Sequence, residues 1–383
     1  MMAAEYKQIM DLAIVHRRYF HQNPELSGQE FETARYIKKH LQELNIEILD
    51  YEEPSVVGYL KGTDGKSTLA LRADMDALPV MEEGDKSYRS QIPGVSHACG
   101  HDGHMAILLT AAKWLSENRH EVRPNIVFIF QSSEEMSPSG ADSLIKQGVL
   151  DGVDAIFGIH LWQPLQKGKM GIRSGAMMAS VDDFCITIKG KGGHGALPHE
   201  TIDPIYVSSQ IIGALQSIIS RRVNPLDPAV ISIGKIESGT SYNIIPEEAS
   251  MYGAVRALSN ETRNLIGKEM KNVVEGICSS LGASGRIDMF GGLPPVINEK
   301  VMTHFAEEMI ETAFGADVLV ETEPVMASED FSCYLEQQKG AFIFVGMGGE
   351  KSQYPHHHPM FDIDEDVIPA AITLLKKIAL EFD

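Results

Sequence analysis

A chain of 383 residues is long enough for about two domains, and with 43% hydrophobic and 22% charged residues it has the make-up of an ordinary soluble globular protein. Its net charge of −20 argues against a nucleic-acid partner, because affinity for phosphate backbones comes mostly from lysine and arginine. The four cysteines, Cys99, Cys185, Cys278 and Cys333, are scattered without a CxxC pair, and no signal-peptide or membrane-spanning run is visible, so a cytoplasmic protein without a disulfide framework is expected.

The chain opens with a helical pattern to about Phe20, a turn at Pro24 and a second helix over residues 28 to 44, both read as outer packing. The first sheet signal, STLALRADMDALP, ends in Asp74, Asp76 and Pro79. HACGHDGH, positions 97 to 104, then puts three imidazoles, a thiol and a carboxylate into eight residues. MAILLTAAKWL behind it carries apolar residues at helical spacing, so the cluster sits just before or on the first turn of a buried helix. Free N–H groups there favour a thiolate at Cys99, a ready metal ligand with His101 two residues on. The plainer reading of this window is a capped helix with a buried cysteine and exposed histidines. Further along, NIVFIFQSSEE ends in Glu134 and Glu135, DAIFGIHL carries His160 near its end, and AFIFVGMGG leads into a loop with His356, His357 and His358. Near-continuous apolar runs alternating with helices describe a parallel sheet buried on both faces, and ligands of such sheets gather at the carboxyl ends of the strands. Asp76, Cys99, His101, Glu134, Glu135, His160 and the late histidines can converge there although they are spread over most of the chain.

Residues 179 to 292 differ in character. VDDFCITIKGKGG alternates like a half-buried strand, Asp203 and Pro204 read as the cap and first position of a helix reaching about Arg222, and the remaining elements complete the order βαββαβ of a ferredoxin-like unit. The expected fold is therefore α/β. A discontinuous domain, residues 1–178 and 293–383, has a mostly parallel sheet flanked by helices and is interrupted by a smaller α+β ferredoxin-like domain over 179–292. GKGGHG at 190 to 195 formally matches GxGxxG, but Pro198 follows where a helix should start, which argues against a dinucleotide site. No GxSxG occurs, removing the commonest serine-hydrolase signature.

HRRYFHQNPELSGQE, RADMDALP, HACGHDGHM, QSSEE, GIHLW, GKGGHGALPH, SYNIIPE, GAVRAL, SEDF and HHHPMFDIDE, in this order and almost end to end, resemble the metal-dependent amidohydrolases of the M20 peptidase family. Within it the chain is most similar to the branch of N-acyl-amino-acid deacetylases, hippurate hydrolases and auxin-conjugate hydrolases. The resemblance implies a two-metal catalytic domain and a lid domain that also dimerises. By position it makes Cys99, His101, Glu135, His160 and His357 metal ligands and Glu134 the general base, with His356 and His358 left open as alternatives to His357. Where many relatives have His-x-Asp, this chain has Asp74 and Asp76. Asp74 is therefore not assumed a ligand, and Asp76 is expected to act from behind the ligands. The resemblance further implies that His194 of the lid stabilises the oxyanion, that Asn243 and Arg256 hold the substrate's carboxylate, and that His194 serves the partner subunit's site. A thiolate ligand leans toward zinc on softness, whereas this branch is often manganese-dependent; nickel and cobalt stay open. The expected reaction is hydrolysis of the amide bond of small N-acyl-L-amino acids by a homodimer or dimer of dimers, with neither nucleic acid nor membrane as partner. A dipeptidase or aminopeptidase using the same two metals, and a non-catalytic metal- or peptide-binding protein, are the alternatives.

Overall fold

The computed structural model describes residues 2–383, with side chains from residue 11 onward. In chain order it forms α1 (Met2–Gln22), α2 (Phe31–Glu43), β1 (Glu47–Leu49), β2 (Val56–Leu60), β3 (Thr68–Asp74), α3 (His101–Glu117), β4 (Asn125–Gln131), α4 (Gly140–Lys146), β5 (Ala155–Gln166), β6 (Met170–Ile172) and β7 (Gly175–Met178). There follow β8 (Val181–Lys189), β9 (Gly193–His194), α5 (Pro204–Arg221), β10 (Ala229–Ser238), β11 (Ile244–Ile245), β12 (Glu248–Ala257), α6 (Asn260–Ser280) and β13 (Ser284–Leu293). The chain ends through β14 (Val296–Asn298), α7 (Lys300–Phe314), β15 (Leu319–Glu321), α8 (Phe331–Gln337), β16 (Gly340–Gly348) and α9 (Ile368–Glu381). Two compact units result. One holds the chain up to Gly175 with Ile297–Glu323 and Asp330–Asp383; the other holds Ala176–Val296 with Pro324–Glu329.

The first unit is built on an eight-stranded sheet ordered β1-β2-β4-β3-β5-β16-β6-β15. Its central strands β4, β3, β5 and β16 run parallel, while β1, β2 and the β6–β16 pairing are antiparallel. All seven residues of β4 are buried, as are eight of the nine in β16, which is why these runs are apolar throughout rather than alternating. Helices α1, α2, α3, α7 and α9 share one core cluster with the sheet, whereas α8 packs on β5, β16 and α4. The sheet is mostly parallel and flanked by helices, as the alternation of apolar runs and helices predicts.

Three local expectations need correction. The second helix starts at Phe31 rather than residue 28, because Gly28 has φ +75 and the chain turns there before Glu30 takes the cap position. His160 lies in the middle of the 12-residue β5, not near its end. It nevertheless stands at a strand end of another kind: β3 pairs with β5 only as far as Arg72 with Gly158, and β5 continues beside β16 alone. Glu134 and Glu135 lie beyond the end of β4 at Gln131, on a turn in which Ser133 has φ +54.

The second unit has the order β10-β12-β8-β13, antiparallel throughout, built from the succession β8-α5-β10-β12-α6-β13. Inward residues of β8, Phe184, Ile186 and Ile188, meet Val207, Ile211 and Leu215 of α5 and Ile266, Met270 and Val274 of α6. The Asp203 carboxylate accepts from the N–H groups of Ile205 and Tyr206, which starts α5 where the Asp-Pro pair places it. Segment Pro324–Glu329, which the sequence boundaries leave with the discontinuous domain, groups with this unit because its backbone bonds to Met177 and Ala179. Among the described residues no helix is long and apolar enough to cross a membrane.

Candidate metal centre

The first unit gathers donors from four places in the chain. Cys99 and His101 flank the Gly100 cap of α3, Glu134 and Glu135 follow β4, His160 projects from β5, and His357 comes from the loop after β16. One donor atom each from Cys99, His101 and His160 lie within 4.8 Å of one another, as do those of Cys99, Glu135 and His357 and those of His101, Glu134 and Glu135. Glu135 Oε1 is 3.2 Å from His357 Nε2 and 3.9 Å from His101 Nε2.

Hydrogen bonds sort the histidines into two groups. A backbone carbonyl can only accept, so the ring nitrogen facing it carries the proton and leaves the other with a free lone pair. His101 donates from Nδ1 to the Asp76 carbonyl at 2.9 Å, and its Nε2 has no hydrogen-bond partner among the described residues. His160 donates from Nδ1 to the Leu161 carbonyl, turning Nε2 toward Cys99 Sγ at 3.6 Å. His104, the third imidazole of the cluster, is spent. Its Nε2 accepts from Leu161 N–H at 2.9 Å and its Nδ1 donates to Asp74 at 2.7 Å. Of the three late histidines, His356 donates from Nε2 to the Leu161 carbonyl and stacks on Trp162, and His358 accepts from Met360 N–H at Nδ1 and stacks on Tyr354. His357 alone of the three adopts the left-handed backbone, φ +66, with its N–H on the Ala98 carbonyl, and it presents Nε2 to Glu135. Such a conformation in a non-glycine residue is held only where the surroundings fix it.

The field at the centre is set by buried charge. Burial opposes ionisation of Asp74, but His101, His104 and Arg72 outweigh it and hold its carboxyl well below the usual range. Burial likewise opposes protonation of His101, yet Asp74, Asp76 and Glu135 raise it to about 10, so its Nε2 offers a lone pair only when a cation there displaces the second proton. Cys99 departs from expectation. Burial pushes its thiol well above the ordinary value, and Glu135, Glu134 and Asp74 push the same way. At the helix start, Cys99 precedes the Gly100 cap, and the N–H groups of Gly103 and His104 are taken by the Gly100 carbonyl rather than offered to the thiol. A thiolate at this position therefore requires a cation beside it. The mixture of thiol, imidazole and carboxylate donors, with an unpartnered buried imidazole nitrogen, suits borderline divalent transition ions.

Asp76 stands behind these donors. Its Oδ2 accepts from Glu135 N–H at 3.0 Å and from Ser27 Oγ at 2.6 Å, and its Oδ1 is 3.3 Å from His101 Nδ1. Asp74 belongs to a different network in which Arg72 donates to Asp74 at 2.8 Å, to Asp330 at 2.7 Å and to Gln131 at 2.9 Å. Glu134 Oε1 accepts from Asp330 N–H at 3.4 Å. The opening helix is not mere outer packing. Its buried Arg17 and His21 both bind the carboxylate of Asp102, the residue after His101, at 2.9 and 2.7 Å. The motif HRRYFHQNPELSGQE contributes to the resemblance, but sequence reading gives Arg17, His21, Ser27 and Glu30 within it no role. The available signal was ELSGQE, where a serine and glycine between acids precede a helix whose cap position is filled by Glu rather than Ser or Asp.

The three remaining expected residues lie in the second unit. His194 is exposed on β9, which pairs with β11, and its Nδ1 accepts from Ala196 N–H at 3.0 Å. Asn243 accepts from Ser241 Oγ at 2.7 Å, and its carbonyl takes Gly195 N–H at 2.9 Å, so it braces the His194 turn. Arg256 on β12 donates to the Met326 carbonyl at 2.9 Å and to Ser328 Oγ at 3.4 Å.

Residues 70–381 match the sequence profile of peptidase family M20/M25/M40. The chain is 40% identical to the N-acetylcysteine deacetylase of Bacillus subtilis over 366 residues, covering 95% of both proteins. It is 44% identical to the N-acyl-L-amino acid amidohydrolase of Geobacillus stearothermophilus over 299 residues, 77% of this chain and 81% of that one. The crystal structure of a dinuclear metal binding peptidase of the M20 family from Bacillus subtilis superposes with a TM-score of 0.86 at 37% identity, covering 98% of each chain. Profile, near full-length identity and shared fold agree, and the chain belongs to peptidase family M20/M25/M40.

Proposed function

We propose that this protein is a metal-dependent amidohydrolase that cleaves N-acyl-L-amino acids into a free amino acid and a carboxylic acid. The observation that carries the reading is the adjacent pair Glu134–Glu135 beside the donors of Cys99, His101, His160 and His357. The amidohydrolase and deacetylase named among its relatives support it. In this reading Cys99, His101, Glu135, His160 and His357 hold two divalent ions, manganese or zinc. Bound there, the ions would polarise the scissile carbonyl and lower the pKa of a water.

The remaining work falls to side chains. Glu134 takes the proton of the attacking water and returns it to the departing amine nitrogen. Asp76 keeps His101 in the tautomer that leaves Nε2 free and ties Glu135 to the same support, which is how outer partners tune a metal site. His194 donates to the oxyanion of the tetrahedral species, in the partner subunit of a cytoplasmic homodimer assembled through the second unit. Arg256 and Asn243 recognise the free carboxylate, for which a planar guanidinium fork is suited. The test is a panel of N-acetyl and N-benzoyl amino acids, their amides, and free dipeptides, assayed with metal-loaded protein by amine release. The acids should be cleaved well and the amides poorly. Faster cleavage of dipeptides than of any N-acyl amino acid would replace this reading with a dipeptidase.

A further inference from the structure

The loop between the first two helices, residues 25–30, lies far from the donors in sequence but bonds Asp76 and Ser133 beside them, and nothing in the proposed chemistry uses it. Glu30 occupies the cap position of α2 yet makes no side-chain capping bond. The Glu25 carboxylate does that work, accepting from Thr33 N–H at 2.8 Å. Glu30 is fully buried and turns its carboxyl the other way, where Oε1 accepts from the N–H of Ser133 at 2.8 Å. Ser133 is the residue with left-handed backbone immediately before Glu134, and its carbonyl takes Gly140 N–H at 3.0 Å. From the same loop, Ser27 Oγ donates to the Asp76 oxygen that also accepts Glu135 N–H. The loop itself is pinned by Ala77 N–H on the Glu25 carbonyl at 2.8 Å.

We propose that Glu30 and Ser27 are positioning residues for the hydrolysis, forming a clamp that fixes the Ser133–Glu135 turn at both ends and thereby aims Glu134. The geometry has a clear consequence. A serine in the left-handed region is strained and stays there only if its peptide groups are fixed from outside. Glu30 fixes the peptide that links Ser132 to Ser133, and Asp76, steadied by Ser27, fixes the peptide that links Glu134 to Glu135. Without the first bond the turn is free to relax toward ordinary backbone angles, carrying the Glu134 carboxylate off its line while leaving Cys99, His101 and His160 in place. A displacement of about 1 Å at a reacting group is enough to cost ~100-fold in rate.

The inference rests on the amidohydrolase reading for its kinetic half but not for its structural half, and the experiment keeps them apart. Hydrogen exchange of the metal-free protein, resolved to the 131–136 segment, reads the clamp directly. The Ser133 amide should be protected in wild type, should exchange at least about 10-fold faster in Glu30→Ala, and should regain protection in Glu30→Gln, whose amide oxygen still accepts. In the metal-loaded enzyme Glu30→Ala should lower kcat by roughly 10- to 100-fold with KM little changed, Glu30→Gln should restore most of the rate, and Ser27→Ala should lower kcat by a smaller factor. Where Glu30→Ala fails to fold, Glu30→Gln against Ser27→Ala carries the comparison, since each removes less. Unchanged protection and unchanged kcat in Glu30→Ala, or equal losses in the Ala and Gln variants, would overturn the clamp. A wild type that hydrolyses no N-acyl amino acid would overturn the functional reading instead and leave the exchange result to judge the clamp.

Discussion

Arg72 offers the sharpest test of how the strand ends are held together. It is 2% exposed and bridges Asp74 of its own strand, Gln131 at the end of β4 and Asp330 before α8. Arg72→Met fills similar volume but leaves two buried carboxylates without their shared cation. Each retains some support: Asp74 keeps His104 at 2.7 Å, and Asp330 keeps Ser139 Oγ and Gln131 Nε2, both at 2.6 Å. Breaking a buried ion pair from one side typically costs about 3–5 kcal/mol, and the surviving bonds place the expected loss toward the lower end. Urea unfolding of the metal-free protein followed by tryptophan fluorescence reads this directly, because the two tryptophans, Trp114 on α3 and Trp162 on β5, both report the first unit. Adding Asp330→Asn to Arg72→Met removes one stranded charge and should recover roughly 1–2 kcal/mol. A loss under about 1 kcal/mol, or a further loss on adding Asp330→Asn, would refute the argument that Arg72 works by neutralising two buried carboxylates.

Three other outcomes are expected, the first and last resting on the proposed function. Glu134→Gln should reduce kcat by roughly 10²- to 10⁴-fold with metal content near wild type, whereas Glu135→Gln should release metal; the opposite pattern in a metal assay would reverse the two roles. His16, buried beside Tyr36 and His40, is pushed by burial down to about 4 from 6.5, with His40 and Lys113 adding to the effect. The folded chain then binds fewer protons than the unfolded one between these values, so stability is full above pH 6.5 and is lost as pH falls toward 4. This amounts to on the order of 3 kcal/mol, and His16→Gln should remove that share of the acid limb in urea titrations at pH 7 and pH 4. An inactive His194→Ala chain mixed with an inactive Glu134→Gln chain should regain activity in the heterodimer, since one site then combines a working base with a working donor; no recovery in a demonstrated heterodimer would place His194 in its own subunit's chemistry or outside it.

Much of the fold was legible because burial writes itself into residue type. NIVFIFQ and AFIFVGMG are apolar throughout because β4 and β16 are covered on both faces, and the βαββαβ order of the second unit follows from alternation in VDDFCITIK and a capped helix after Asp203. The candidate donors were partly legible as chemistry, since Cys99, His101, Glu134, Glu135, His160 and the late histidines are types that bind metals, while the choice of Glu135 over Glu134 and of His357 over its neighbours rested on the family resemblance. What the sequence did not reveal depends on backbone detail and on partners far away in the chain. The turn at Ser133 has no glycine to announce its left-handed residue, and Pro324–Glu329 joins the second unit through backbone bonds to which side-chain pattern is blind. Cys99 was read from the helix start alone, whereas the thiol responds to burial and to Glu135, Glu134 and Asp74, which arrive from β3 and from beyond β4. Glu30 and Ser27 escaped notice because an acid and a serine before a helix ordinarily cap it, and here that task belongs to Glu25.

The most direct test of the central claim is a metal titration of activity. Protein stripped by chelation and verified metal-free by elemental analysis should show no hydrolysis of N-acetyl amino acids, and additions of manganese or zinc should restore the rate, saturating near two ions per chain. Full activity in the verified metal-free protein would contradict the account.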